Sequence, residues 1–390
     1  MKLSKYFTAA IAPAMMLAAS GSVLADTADD MMMRTLGTTE NIGPVLTEAF
    51  NVAAQDLTEE QRELALRCWR ESSCETGHGS LTVAYSDGFG ENVWRQLTAM
   101  EFFIQAVQSP EVKTIKYSSA RGDATKAISD IRSFIAQRVD IIVMFADASE
   151  ALLPTVREAT EAGIVVVAHN GTSPGGEPGV DYAVSISENL CDLGKAFVNV
   201  ISENVSESTG IVELGGTPGN SLSATWQACS DEAIAELDNV FYVDKADTSW
   251  TQEGNFKAVS SLLAQHDDIG GYVYEYADGF RGALRAYADA NVEPNFVAAF
   301  RTDEQGLFCD WEEIADPDFK IFYSSGQNYQ SRVALTAALM IKAGEDVPPV
   351  IQIPFTMKPV TEGMCNTSLP PETSVSSLID DTMLHAMFDN

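Results

Sequence analysis

Seven short stretches hold a mixture of side chains able to recognise a small polar molecule: Ser86-Asp87-Gly88-Phe89, Asp147-Ala148-Ser149, His169-Asn170, Gly216-Thr217-Pro218-Gly219-Asn220, Tyr276-Ala277-Asp278, Arg301-Thr302-Asp303 and Ser324-Ser325-Gly326-Gln327. Each follows a short apolar run. Together they offer aromatic rings, amides, hydroxyls, one imidazole and several carboxylates. Rings cover the C–H face of a polyol while carboxylates and amides take its hydroxyls, the usual combination of apolar lining and a few polar anchors. Covalent chemistry has less support. The chain has no His-Glu-x-x-His, and Gly215–Gly219 lacks both the Gly-x-Gly-x-x-Gly spacing and a P-loop lysine. The histidines His78, His169, His266 and His385 are scattered and no Cys-x-x-Cys occurs, so neither a zinc site nor any other cofactor is expected.

The elements that must carry these loops are legible in the pattern. The chain has 390 residues, 45% of them hydrophobic, enough for two cored domains and too apolar for a disordered acidic chain. Against 56 Asp and Glu stand 24 Lys and Arg, a formal charge of −32 that disfavours nucleic acid and anionic membranes as partners. From Leu81 onward strands alternate with helices. Asp140–Phe145 and Ile164–Ala168 are continuous apolar runs, the signature of a parallel sheet covered on both faces. Asp123 reads as the cap of a helix whose apolar positions Ala127, Ile128, Ile131, Phe134 and Ile135 recur at helical spacing. Further strands are expected at Leu81–Tyr85, Thr114–Tyr117, Tyr182–Ile186, Ile211–Leu214, Val240–Val243, Tyr272–Tyr274, Phe296–Phe300 and Lys320–Tyr323. Two such series predict an α/β fold of two Rossmann-like, doubly wound lobes. In open parallel sheets ligands sit beyond the carboxyl ends of the strands, where the seven loops lie.

Ahead of the lobes, residues 1–25 read as a secretory signal: Lys2 and Lys5, the apolar Phe7–Ala19, and small residues Val23 and Ala25 before Asp26. A periplasmic location follows as an expectation. Residues 26–79 read as an N-terminal helical extension, with Asp26–Thr39 mobile and a capping box at Thr58 opening a helix to about Arg70. Export permits disulfides. Cys68 and Cys74 are close enough to close a local loop. The assignment adopted for the rest is Cys191–Cys229 and Cys309–Cys365, out of the 15 connectivities open to six cysteines.

Several segments, in order, resemble type I periplasmic binding proteins of sugar ABC transporters. Residues 122–170, centred on "AISDIRSFIAQRVDIIVMFADASEALLPTVREATEAGIVVVAHN", look like the first lobe of that family. "VELGGTPGNS" (212–221) and "RGALRAYADA" (281–290) look like the second. "YSDGFGENVWRQ" (85–96) is similar to the first ligand loop of the ribose- and galactofuranose-binding branch. The resemblance implies a three-strand hinge crossing near Ser187, Ser325 and Phe355. It places residues 80–187 with 326–355 in lobe 1, and 188–325 with 356–390 in lobe 2. It implies ligand contacts from Phe89, Trp94 or Arg95. His169-Asn170 stands where the family usually has Asp-Arg, Trp226 where it has Arg, and Tyr276-Ala277 where it has Asn-Asp. Asp303 matches a retained carboxylate and is the leading anchor, because a carboxylate accepts two hydroxyl donors at once. Gln327 or Ser325 stands on the hinge. Asn220 and Asp147 complete the candidates, although Asp147, like Asp278, also reads as a helix cap.

The function expected is capture of a sugar or polyol-like molecule by a monomer that hands it to an ABC transporter permease. A ligand-presenting sensor subunit and a periplasmic sugar hydrolase are the alternatives. A DNA-binding regulator of similar architecture is disfavoured by the leader and by the lack of N-terminal DNA-binding helices.

Overall fold

A computed structural model describes residues 26–90 and 92–388; the signal expected at 1–25 lies outside the described residues. The first sheet has seven strands, in the order Ser73–Glu75, Val112–Ser119, Leu81–Asp87, Ile141–Phe145, Val165–His169, Val184–Ser187 and Val350–Gln352. All neighbours are parallel except the first pair, where Ser73–Glu75 runs antiparallel to Val112–Ser119. Every residue of Ile141–Phe145 is buried, as a central strand covered on both faces requires. Asp123 caps the helix Ala124–Ala136 by accepting from Thr125 N (2.8 Å) and Lys126 N (3.1 Å).

The second sheet has six strands, ordered Lys358–Pro359, Lys320–Tyr323, Val297–Phe300, Ile269–Tyr274, Thr209–Gly215 and Val240–Asp247. Only Lys358–Pro359 runs antiparallel. The chain crosses between lobes after Ser187, again between Tyr323 and Gln330, and a third time between Gln352 and Lys358. The fold is the two-lobed α/β architecture of type I periplasmic binding proteins.

Three features depart from the sequence expectation. Asp26–Thr39 is not a loose lead-in: Ala28–Thr35 is a helix with its own Thr27–Asp30 capping box, and Met31 and Met32 are buried in the first core. The short strand Ser73–Glu75 had no alternating pattern long enough to announce it. The C-terminal stretch is shared between the lobes. Leu378, Ile379, Met383, Leu384 and Met387 bury themselves in the first core, beside the extension helices Gly43–Ala53 and Glu59–Glu71. Met383, Leu384 and Met387 form one apolar face of the helix Asp381–Phe388, Leu378 and Ile379 precede it, and the extension supplies the groove that covers them. The six cysteines pair as Cys68–Cys74, Cys191–Cys229 and Cys309–Cys365.

Candidate functional site

A crevice of about 280 Å³ lies between the lobes. Its lining follows the carboxyl ends of both sheets. From lobe 1 come Phe89, Asn92, Trp94, Arg95, Gly122, Phe145, Asp147 and Thr172; from lobe 2 come Thr217, Asn220, Leu222, Ser249, Trp250, Glu275, Tyr276, Arg301 and Thr302. The volume lies just below the roughly 300–1,000 Å³ range usual for small-molecule sites, room for one small ligand.

The lobe 1 wall is ionic. Asn92 caps the helix Val93–Gln108 by accepting from Arg95 N at 2.9 Å, which fixes the first turn and aims Arg95 inward. The guanidinium lies over the Phe145 ring, 3.2 Å from its centroid. It donates to Asp87 Oδ1 at 3.1 Å and to Asp147 Oδ2. Burial raises the pKa of both carboxyls, and the Arg95 charge opposes that shift. Asp87 is further held by Phe89 N (3.0 Å) and the Tyr117 hydroxyl (3.3 Å). Asp147 keeps partial access to solvent, with 20% of its side chain exposed. Arg95 is thus matched in charge, with one N–H given to each carboxylate, and Asp147 retains acceptor capacity toward the crevice.

The lobe 2 wall is built on a carboxylate with neutral partners. Glu275 follows the strand Ile269–Tyr274 and is buried. Its Oε1 accepts from Ser223 Oγ (2.5 Å) and Trp250 Nε1 (2.6 Å), and its Oε2 from Trp226 Nε1 (2.5 Å). Burial raises its pKa despite these three donors. Trp250 packs closely against Gly216, where an added Cβ would come within 2.1 Å of the indole; only glycine leaves that space. Thr302 donates to Glu304 Oε2 (2.5 Å) and accepts from Ala277 N (2.9 Å), which fixes the start of the helix behind Tyr276. Arg301 pairs with Glu188 at the first hinge crossing and bridges to lobe 1 through Asn170 Oδ1 (3.2 Å).

Six of the sequence candidates line the crevice: Phe89, Trp94, Arg95, Asp147, Asn220 and Tyr276. Asn220 spends its carbonyl on capping, accepting from Leu222 N (2.9 Å) and Ser223 N (3.4 Å), so its amide N–H groups are what it can offer a ligand. Five do not line it. Asp303 turns away: its Oδ2 accepts from Ser376 N at 3.0 Å, and burial lifts its carboxyl to about pKa 6. Trp226 is buried behind Glu275, edge-on to Phe197. His169 is sandwiched behind the wall, stacked on Tyr85 and edge-on to Phe145. It accepts from Asn170 Nδ2 at 3.0 Å, and burial with two nearby arginines drives its pKa to about 3, so it is neutral. Asn170 lies beneath Arg301, and Gln327 is buried, donating to Ser325 Oγ at 2.8 Å. Nor does Asp278 cap its helix: Tyr276 occupies the N-cap, and Asp278 accepts from Gln252 Nε2.

Phe145, Trp250, Glu275, Arg301 and Thr302 are lining residues that the sequence candidates omitted. Trp250 was missable because the strand Val240–Val243 continues to Asp247, past a register shift against Thr209–Gly215. The loop after it therefore begins later than expected. The stretch Gly171-Thr172-Ser173-Pro174-Gly175 has the spacing of a nucleophile elbow. Ser173 is exposed, its Oγ accepts from Gly175 N at 3.1 Å, and no helix follows to make the strand–turn–helix an elbow needs.

Two parallel-sheet lobes around one ring-lined polar crevice define a solute-binding protein of the two-lobed type. The family described as periplasmic binding protein domain matches residues 85–346, and this chain belongs to it. The chain is 23% identical over 218 residues to the galactofuranose-binding protein YtfQ of Escherichia coli, covering 55% of this chain and 68% of that one. It is 23% identical over 247 residues to a xylitol-binding protein of Mycolicibacterium smegmatis, covering 62% and 68%. Among solved structures, the arabinose-transporter binding component of Shewanella sp. ANA-3 superposes with a TM-score of 0.63 at 21% identity, covering 71% of this chain and 91% of that one. A Bacillus halodurans solute-binding protein with bound myo-inositol gives 0.63 at 16% identity, covering 72% and 94%.

Proposed function

We propose that the protein captures a sugar or polyol in the interlobe crevice and delivers it, from the periplasm, to the permease of an ABC importer. The observation that carries this reading is the crevice chemistry. Both arginines that reach it are already paired, Arg95 with Asp87 and Asp147, Arg301 with Glu188. Among the described residues, an anionic ligand would meet no unmatched cation in the crevice lining. What the crevice offers instead is ring faces, acceptors and N–H donors such as the Asn220 amide, which suits an uncharged, hydroxyl-bearing guest. The relatives named for galactofuranose and xylitol point to the same class. The ligand touches both lobes, so its binding favours the closed arrangement by the contacts that closure adds.

A thermal-shift screen of the mature protein tests this. The panel is L-arabinose, D-ribose, D-fucose, D-galactose, xylitol and myo-inositol, with amino acids and nucleosides as controls. A binder at 100 times its Kd adds about 2.7 kcal/mol to apparent stability. At least one polyol is expected to raise Tm. A response confined to amino acids or nucleosides overturns the ligand class, and turnover of a bound glycoside would favour a hydrolase.

A further inference from the structure

The C-terminal stretch lies beyond the family match at 85–346 and joins parts of the molecule that move separately in a hinged protein. At its start the Cys309–Cys365 bond ties it to lobe 2. It then runs along the edge of that lobe: Gln305 N donates to Thr373 O (2.9 Å), Gly306 N to Pro371 O (2.7 Å), Val375 N to Asp303 O (3.1 Å) and Ser376 N to Asp303 Oδ2 (3.0 Å). Two residues later it enters lobe 1, where Leu378 N donates to Glu101 Oε1 at 3.0 Å and Leu378, Ile379, Met383, Leu384 and Met387 join the core. It is a fourth connection between the lobes, added to the three hinge crossings.

Between those anchorages the strap grips the middle hinge segment with two serines. Gly326 N donates to Ser376 Oγ at 2.6 Å, and Ser374 Oγ donates to Asn328 Oδ1 at 2.8 Å. Both hinge residues hold Trp94. The Gly326 carbonyl accepts from Trp94 Nε1 at 2.7 Å, and Asn328 Nδ2 donates to Trp94 O at 2.9 Å and to Thr98 Oγ1 at 3.0 Å. Gly326 has no room for a Cβ, which would stand 2.4 Å from Ser374 Oγ. Trp94 lines the crevice and meets Phe145 edge-on at 6.0 Å.

We propose that Ser374 and Ser376 are positioning residues for ligand binding, fixing the Trp94 indole in the crevice through Asn328 and Gly326. No strap residue lines the cavity itself. The contribution to affinity is indirect: a ring held before the ligand arrives loses less freedom on binding. The same route makes the ring sensitive to lobe 2, because Ser376 is also the residue that Asp303 holds.

The test has two arms. In the first, the protein is labelled with 5-fluorotryptophan and studied without ligand by fluorine NMR, the Trp94 resonance being assigned with Trp94→Phe. The double variant S374A/S376A is expected to shift or broaden the Trp94 resonance and leave that of Trp250 in place; an unmoved Trp94 resonance overturns the proposal. In the second arm, which rests on the polyol reading, the polyol from the thermal-shift panel that binds the wild type is titrated calorimetrically. Affinity is expected to fall about tenfold in S374A/S376A, and the loss is expected to vanish in a Trp94→Phe background. An equal loss in that background shows an effect that bypasses Trp94 and overturns the proposal. Ser376→Thr keeps the acceptor and is expected to restore affinity. Should the double variant fail to fold, Ser374→Ala and Ser376→Ala each break one route and are read the same way. If no polyol binds the wild type, the proposed function falls while the fluorine arm still decides the positioning role.

Discussion

The two walls of the crevice accommodate buried carboxylates by opposite means. Lobe 1 sets Asp87 and Asp147 around one guanidinium, which is itself laid on an aromatic face. Lobe 2 gives Glu275 a hydroxyl and two indole N–H donors and, among the described residues, no ion pair. Removing the cation from the first arrangement leaves two charges stranded, whereas each donor in the second carries only part of the load. The first wall is therefore brittle and the second graded. Both keep the crevice free of unmatched positive charge.

The largest effect separating the walls is expected from Arg95→Met. Breaking a buried pair by removing one partner costs about 3–5 kcal/mol, and here two carboxylates lose theirs. Urea unfolding should show a loss in that range, with polyol binding abolished. A loss below about 1 kcal/mol would erase the distinction drawn between the walls.

A smaller effect is expected from Glu275→Gln, which preserves shape but turns an NH₂ toward an indole donor. One mispaired buried group costs about 1–3 kcal/mol. Tryptophan emission should change, since one of the two indoles loses its acceptor oxygen. Unchanged emission and stability would mean that Glu275 does not hold Trp226 and Trp250 as their contacts imply.

The next effect concerns pH and sharpens the lobe 2 picture at its base. Burial lifts the Glu304 carboxyl to about pKa 8, above its ordinary value of 4.5. The folded state therefore holds this proton more tightly than the unfolded state. Its stabilising contribution is complete below about pH 4.5 and is lost as pH rises toward 8. Tm across that window should fall less steeply in Glu304→Gln than in the wild type. Equal slopes would place the pH dependence elsewhere. His169 acts in the other direction: with its pKa near 3 it contributes above about pH 6.5, and the contribution is lost as pH falls through 3.

Much of the architecture was legible because it is local. Apolar runs such as Ile141–Phe145 can satisfy their backbone and bury both faces only inside a parallel sheet. Asp123 and Thr58 announced their helices through bonds that reach only two or three residues. The rule that ligands sit beyond strand ends located the crevice, and six of eleven candidates do line it. The rest depended on which way a side chain turns once the chain has left its strand. Asp303 and Thr302 are adjacent, yet only Thr302 reaches the crevice. Asp303 is claimed by Ser376, 73 residues further on.

The sequence by itself determined two βαβ lobes, their helix caps and the end of each sheet at which a ligand must sit, because hydrogen bonding and amphipathic spacing act over a few residues. Only the tertiary structure decided which groups face the crevice. That choice is made by partners distant in the chain: Phe145 beneath Arg95, the two indoles around Glu275, and the C-terminal strap that draws Asp303 away and sets Trp94 in place. Burial forces each polar group to find such a partner, and no local pattern records where that partner will come from.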